Sequence, residues 1–263
     1  MQLLHEPCYF AIRNPVQTLG LALATVLGFA LAAVAQAAVK NVVIVHGAFA
    51  DGSGWKPVAE ILRRDGYSVY IVQEPETTFE DDVAATRLVL DMSGPCVLVG
   101  HSYGGMIITE AGIHPAVKSL VYVAAFQPAV GESAASLNSR MPAASNSIVP
   151  FGDGFVRVKP DAFQEDFAAD LPRRTAQFMA VSQVLISLEA FGARATATAW
   201  SRKPSYAVVA KEDRMINPDL ERFMTRRAKS DTIELPGSHA IYQSHSREIA
   251  ALIEKAAKAV PGS

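Results

Sequence analysis

Beyond an apolar N-terminal segment, the chain alternates short apolar runs with longer stretches whose apolar residues recur every three or four positions. VVIVHG (residues 42–47) is largely β-branched and ends in glycine, which predicts a strand buried on both faces. SGWKPVAEILRRDG follows, with Trp55, Val58, Ala59 and Leu62 on one helical face and Gly66 at its end. YSVYIV (residues 67–72) reads as a second strand. The next helix, TTFEDDVAATRLVLDMSG, opens on Thr78 as N-cap with acidic residues in its first turn and closes at Gly94. CVLVG (residues 96–100) is a third buried strand and MIITEAG continues into a helix. SLVYVAAF (residues 119–126), SYAVVA (residues 205–210) and DTIEL (residues 231–235) bring the strands to six, with helices at PDLERFMTRRAKS and SREIAALIEKAAKAV. Strands separated by helices predict the α/β class, with right-handed crossovers and a mostly parallel sheet covered by helices on both faces.

Residues 127–204 break this rhythm. They are rich in Ala, Ser and Pro, hold a helical stretch (RRTAQFMAVSQ) and show no clear buried strand. The segment is expected to be a helical lid inserted over the C-terminal edge of the sheet, where open α/β sheets bind ligands. Its aromatics, with Phe126 beside them (Phe151, Phe155, Phe163, Phe167, Phe178 and Phe191), suit an apolar substrate group or pack the lid onto the sheet.

The N-terminus has a different character. Residues 19–35 are apolar and uncharged, Arg13 lies upstream, and Ala35 and Ala37 occupy the −3 and −1 positions of a small-residue cleavage site. This predicts a signal peptide over residues 1–37, cleaved near Ala37, and a periplasmic or secreted protein of residues 38–263. An uncleaved membrane anchor is the competing reading. Cleavage would remove Cys8 and leave Cys96 alone, so no intrachain disulfide is expected. No Cys/His cluster has metal-ligand spacing, so no structural zinc is expected either. The formal net charge of −2, without a basic run, speaks against nucleic acid as a partner.

Candidate chemistry begins at VLVGHSYGGM. Gly100-His101-Ser102-Tyr103-Gly104 fits the G-x-S-x-G pattern of a nucleophile elbow, in which a serine stands on a sharp strand-to-helix turn. A serine hydroxyl needs a base. Among the histidines, His46 in HGAF reads as a loop-shaping residue, His101 as a packing residue, and His114 and His245 as surface residues. His239, in LPGSHAIY between the last strand and the last helix, lies at the sheet edge where Ser102 emerges and is the candidate base. The chain order Ser, acid, His then asks for a carboxylate between them. Asp213 in VVAKEDRMINP fits, with Glu212 adjacent to it. The oxyanion donors are expected from the Tyr103 amide and from the Ala48 amide, or alternatively Phe49, in HGAFADGSGW.

HGAFADGSGW, VLVGHSYGGM, VVAKEDRMINP and LPGSHA together resemble the α/β-hydrolase fold, and within it the esterase and hydroxynitrile lyase branch that includes plant methyl esterases and bacterial relatives. The resemblance spans His46 to His239 and implies a triad of Ser102, Asp213 and His239 acting on a small-molecule carboxylic ester, with no metal or organic cofactor. Hydroxynitrile lyases carry a lysine just after the catalytic histidine, where this chain has Ala240, and they lack the histidine that precedes the nucleophile here, His101. Ester hydrolysis is therefore the expected activity. A lyase reaction, or ligand binding on the same fold, are the alternatives.

Overall fold

The β-branched runs form strands because their side chains pack on both faces of a sheet, where an alternating pattern would leave one face wet. The computed structural model describes residues 39–260. The segment read as signal peptide or anchor, with Cys8 and the Ala37 position, lies outside them. Within the described residues the order is β1 (Asn41–Val45), α1 (Lys56–Arg64), β2 (Ser68–Val72), α2 (Phe79–Ser93), β3 (Cys96–Ser102), α3 (Gly104–Ala111), β4 (Val117–Ala125), α4 (Ala134–Arg140), β5 (Ile148–Pro150), β6 (Phe155–Val158), α5 (Phe163–Phe167), α6 (Arg173–Val181), β7 (Ile186–Ser187), α7 (Leu188–Gly192), β8 (Ser205–Ala210), α8 (Pro218–Ala228), β9 (Asp231–Leu235), α9 (Ile241–Ser244) and α10 (Ser246–Lys258). No helix among the described residues is long and apolar enough to cross a membrane.

The main sheet has the order β2-β1-β3-β4-β8-β9, and every adjacent pair is parallel. All seven residues of β3 and all six of β8 are buried. Because successive side chains in a strand point to opposite faces, unbroken burial means that both faces of the sheet centre are covered. Helices α1 and α10 pack on one another, as do α2 and α3, and the sheet lies against them. The strand order reverses direction at β1, whose neighbours are β2 and β3. The loops leaving the C-terminal ends of β1 and β3 therefore meet at a topological switch point.

Local signals account for several boundaries. Thr78 caps α2 by accepting a hydrogen bond from the Asp81 amide, and Gly94 ends the helix at φ +65°. The third strand runs two residues past its predicted end and finishes on Ser102, which carries φ +52°, a conformation rare for a residue with a Cβ. A one-residue turn then starts α3 at Gly104. A Cβ at Gly104 would lie 2.3 Å from the His46 carbonyl oxygen and 2.8 Å from that of Val45, so the helix start approaches β1 backbone to backbone. Gly104→Ala is expected to destabilise the fold by about 3 kcal/mol, because backbone cannot move aside as a side chain can. Urea unfolding would measure this; a shift below 0.5 kcal/mol, on the order of a neutral surface change, would contradict the close approach.

Residues 127–204, between β4 and β8, hold the helices predicted there and also a three-stranded antiparallel sheet, β5-β6-β7, that the sequence reading does not place. These strands are only 3, 4 and 2 residues long. Such short strands show too few alternations to register as a period. Their stability comes from tertiary pairing, including the Gln183 side chain, which bonds both the amide and the carbonyl of Val158. Of the aromatics expected here, Phe163 and Phe167 stack in the interior at 4.7 Å, Phe151 and Phe178 are exposed, and Phe191 meets Phe126 edge to face.

Candidate active site

The strained end of β3 holds Ser102 at the sheet's C-terminal edge, and a Cβ on Gly47 would come within 2.6 Å of the serine's own Cβ. The glycine lets the loop after β1 close over the elbow. Asp213 is carried by the turn after β8, and His239 by the loop after β9. All three side chains are buried. His239 bridges the other two: its Nδ1 lies 2.6 Å from Asp213 Oδ2 and its Nε2 lies 2.8 Å from Ser102 Oγ. A carboxylate can only accept, so Nδ1 carries the proton and donates to Asp213. That leaves Nε2 with a lone pair facing the serine hydroxyl, which donates to it.

Asp213 is held as firmly as His239. Asp213 Oδ1 accepts hydrogen bonds from the Met215 and Ile216 amides at 2.7 and 2.9 Å, which aims Oδ2 at the imidazole. Glu212, one residue earlier, is exposed and takes no part. Beneath Asp213 lies the Glu221 carboxyl of α8, fully buried; burial first, and the neighbouring Asp213 second, hold it well above the ordinary carboxylate range.

Two of the histidines read as background have more definite places. His101 is buried with its ring 4.6 Å from that of His239, and its Nε2 donates to the His239 main-chain carbonyl at 3.0 Å. Burial pulls its pKa well below the usual imidazole value, so it stays neutral and acts as a fixed donor behind the loop. His46 is buried beside two glutamates. His114 and His245 sit at the periphery, pairing with Asp91 and Glu248.

The inserted segment also reaches the site, a contribution without any local sequence signal. The Phe167 ring stands edge-on to His239 at 4.8 Å, and the Phe167 carbonyl accepts from Ala240 N and Ser238 Oγ. Asp170 accepts from Ser238 and Ser244 on either side of the histidine loop, and Arg214 next to Asp213 is bound to Asp166. Ala48, Tyr103, Phe126, Ile148, Phe191 and Met215 line a cleft around Ser102, and Asn138 adds a polar group to it. Tyr103 is the N-cap of α3, so its amide lies outside the helical ladder. Of the two candidates after β1, the Phe49 amide is occupied by the Val184 carbonyl at 3.2 Å, which leaves Ala48 as the better-placed donor.

The arrangement can move a proton from a serine hydroxyl to an imidazole and stabilise the charge on the ring. Comparison with known proteins places it among relatives. The profile of the family described as alpha/beta hydrolase matches residues 42–252. A carbendazim hydrolyzing esterase from Nocardioides sp. (strain SG-4G) is 35% identical over 113 residues, 37% of this chain; the match spans 46% of that protein, about half its length. Among solved structures, a pyrethroid hydrolase from Sphingobium faniae JZ-2 superposes with a TM-score of 0.72 at 23% identity, over 84% of this chain and 98% of that one. An extracellular alpha/beta-hydrolase from a Paenibacillus species gives 0.69 at 20% identity, over 82% and 98%.

Proposed function

The chain belongs to the alpha/beta hydrolase family, and on that premise we propose that it is a serine hydrolase that cleaves small or medium carboxylic esters through an acyl-enzyme. The observation that carries this reading is the His239 imidazole set between Ser102 Oγ at 2.8 Å and Asp213 Oδ2 at 2.6 Å. In the proposed reaction Ser102 Oγ attacks the ester carbonyl as His239 Nε2 takes its proton, and the Tyr103 and Ala48 amides receive the oxyanion. His239 then protonates the departing alcohol. Water, deprotonated by the same ring, attacks the acyl group and frees Ser102. Asp213 holds the ring in the required tautomer and balances its charge in both halves.

The Phe126, Ile148, Phe191 and Met215 side chains in the lining support a substrate that carries an apolar group. Relatives named for hydrolysing carbendazim and pyrethroids support the same class. Ala240, buried and bonded through its amide to Phe167, offers no cation beside the histidine, which favours hydrolysis over cyanohydrin cleavage. The apolar run of residues 19–35, followed by a small-residue cleavage site near Ala37, supports export.

The test is a p-nitrophenyl ester series from acetate upward, run beside labelling with a fluorophosphonate. Multiple turnovers with the shorter acyl chains, and a label mapping to Ser102, are expected. A well-folded protein that neither turns over any member nor takes the label would sink the proposal.

A further inference from the structure

Away from the proposed catalytic residues, the loops after β1 and β2 bring His46, Glu74 and Glu76 together. All three are buried, at 1%, 3% and 0% exposure. The four carboxylate oxygens of the two glutamates have no hydrogen-bond partner among the described residues. No lysine or arginine of the described residues is paired with either; the cation-capable group facing them is the His46 ring. Asp82 stands close by but is committed, accepting from the Glu76 amide at 2.7 Å and from the Tyr103 hydroxyl at 2.9 Å. Two unneutralised carboxylates in such a place are costly, and buried unpartnered polar atoms call for an explanation.

The geometry supplies one. His46 Nδ1 lies 3.2 Å from Glu74 Oε1 and 3.6 Å from Glu76 Oε1, and 3.2 Å from the Gly47 carbonyl oxygen. One ligand atom from each of the three side chains falls within 4.8 Å of the others. Two bonds of about 2.1 Å at a tetrahedral angle set their ligand atoms roughly 3.4 Å apart, between the two nitrogen-to-carboxylate distances observed. We propose that His46, Glu74 and Glu76 form a structural site for a divalent transition-metal cation, Zn²⁺ foremost, with the Gly47 carbonyl or a water as fourth ligand. A nitrogen among oxygens selects zinc-like ions over calcium and magnesium, which take oxygen sets. Two carboxylates cancel the ion's charge, and the ion replaces the missing donors. It also ties the loop carrying Ala48 to the loop after β2, whose Glu76 carbonyl is already bonded to Ser187 of the insertion.

The competing state holds protons instead, with both glutamates neutral. The two differ in what Zn²⁺ does to the full chain. After dialysis against a chelator and then buffer, titration with Zn²⁺ alone is expected to load one ion per chain. It should raise Tm by about 5–10 °C at a hundredfold excess over Kd. Glu74→Gln and Glu76→Gln, near-isosteric changes, should each abolish both effects. Co²⁺ in the unsubstituted chain should give the visible absorption of a tetrahedral site, a readout that does not depend on the variants folding. No stoichiometric uptake and no Tm rise, or uptake that survives in folded glutamine variants, would overturn the site and leave shared protons as its chemistry.

Discussion

Ser102→Ala is expected to lower kcat for ester hydrolysis by about 10⁶-fold, roughly 8 kcal/mol of transition-state stabilisation. In the proposed mechanism the loss is that large because the hydroxyl is the attacking group that His239 activates. Stability should hardly change. The alanine adds no atoms, and the serine's hydrogen bond at 2.8 Å is made to a ring that Asp213 already holds, on a loop whose His239 carbonyl receives the His101 ring. The φ of +52° costs alanine about what it costs serine. Rates on p-nitrophenyl acetate and thermal unfolding, measured on the same preparation, check both halves. Near-normal turnover by the alanine variant would refute the proposed mechanism outright.

Asp213→Asn is expected to cost about 10⁴-fold in kcat, and the reason is directional. Oδ1 receives two main-chain N–H groups, from Met215 and Ile216, so an asparagine must place its carbonyl oxygen there. Its amide then faces His239 and donates to Nδ1. The ring is forced into the tautomer with the proton on Nε2, which can no longer accept from Ser102. The variant should fold normally and react with fluorophosphonate far more slowly than the parent. If it keeps more than a tenth of the parental rate, the Asp213–His239 contact does not set the tautomer. Glu212→Gln on the exposed side of the same turn should leave the rate unchanged, which separates the geometry from a general effect of removing charge in that loop.

Much of this protein is legible along the chain because the relevant forces act between near neighbours. Continuous β-branched runs specify two-sided burial at β1, β3, β4 and β8, and Thr78 and Gly94 bracket α2 through bonds to residues within one turn. The elbow is readable for the same reason: Gly100, Ser102 and Gly104 describe one turn. Ser102, His239 and Asp213 can each be singled out from residue type and from a position just past a predicted strand.

Other features depend on partners far away in sequence. The choice of Asp213 over Glu212 rests on which of two adjacent side chains turns inward, and the structure buries the first and exposes the second. The short strands β5, β6 and β7 exist only as a paired set. His101 looks like packing until its donation to the His239 carbonyl, 138 residues later, is seen. The grip of Phe167 and Asp170 on the histidine loop has no local trace either.

The sequence by itself determined the α/β class, the place of the elbow and the residue types of the candidate site, because periodicity and turn geometry are properties of adjacent residues. Only the tertiary structure decided which loops meet. The order β2-β1-β3-β4-β8-β9 puts the ends of β1, β3, β8 and β9 along one edge, and it sets His46 against Glu74 and Glu76. Strand order follows from how whole faces pack, and no single stretch of the chain carries it.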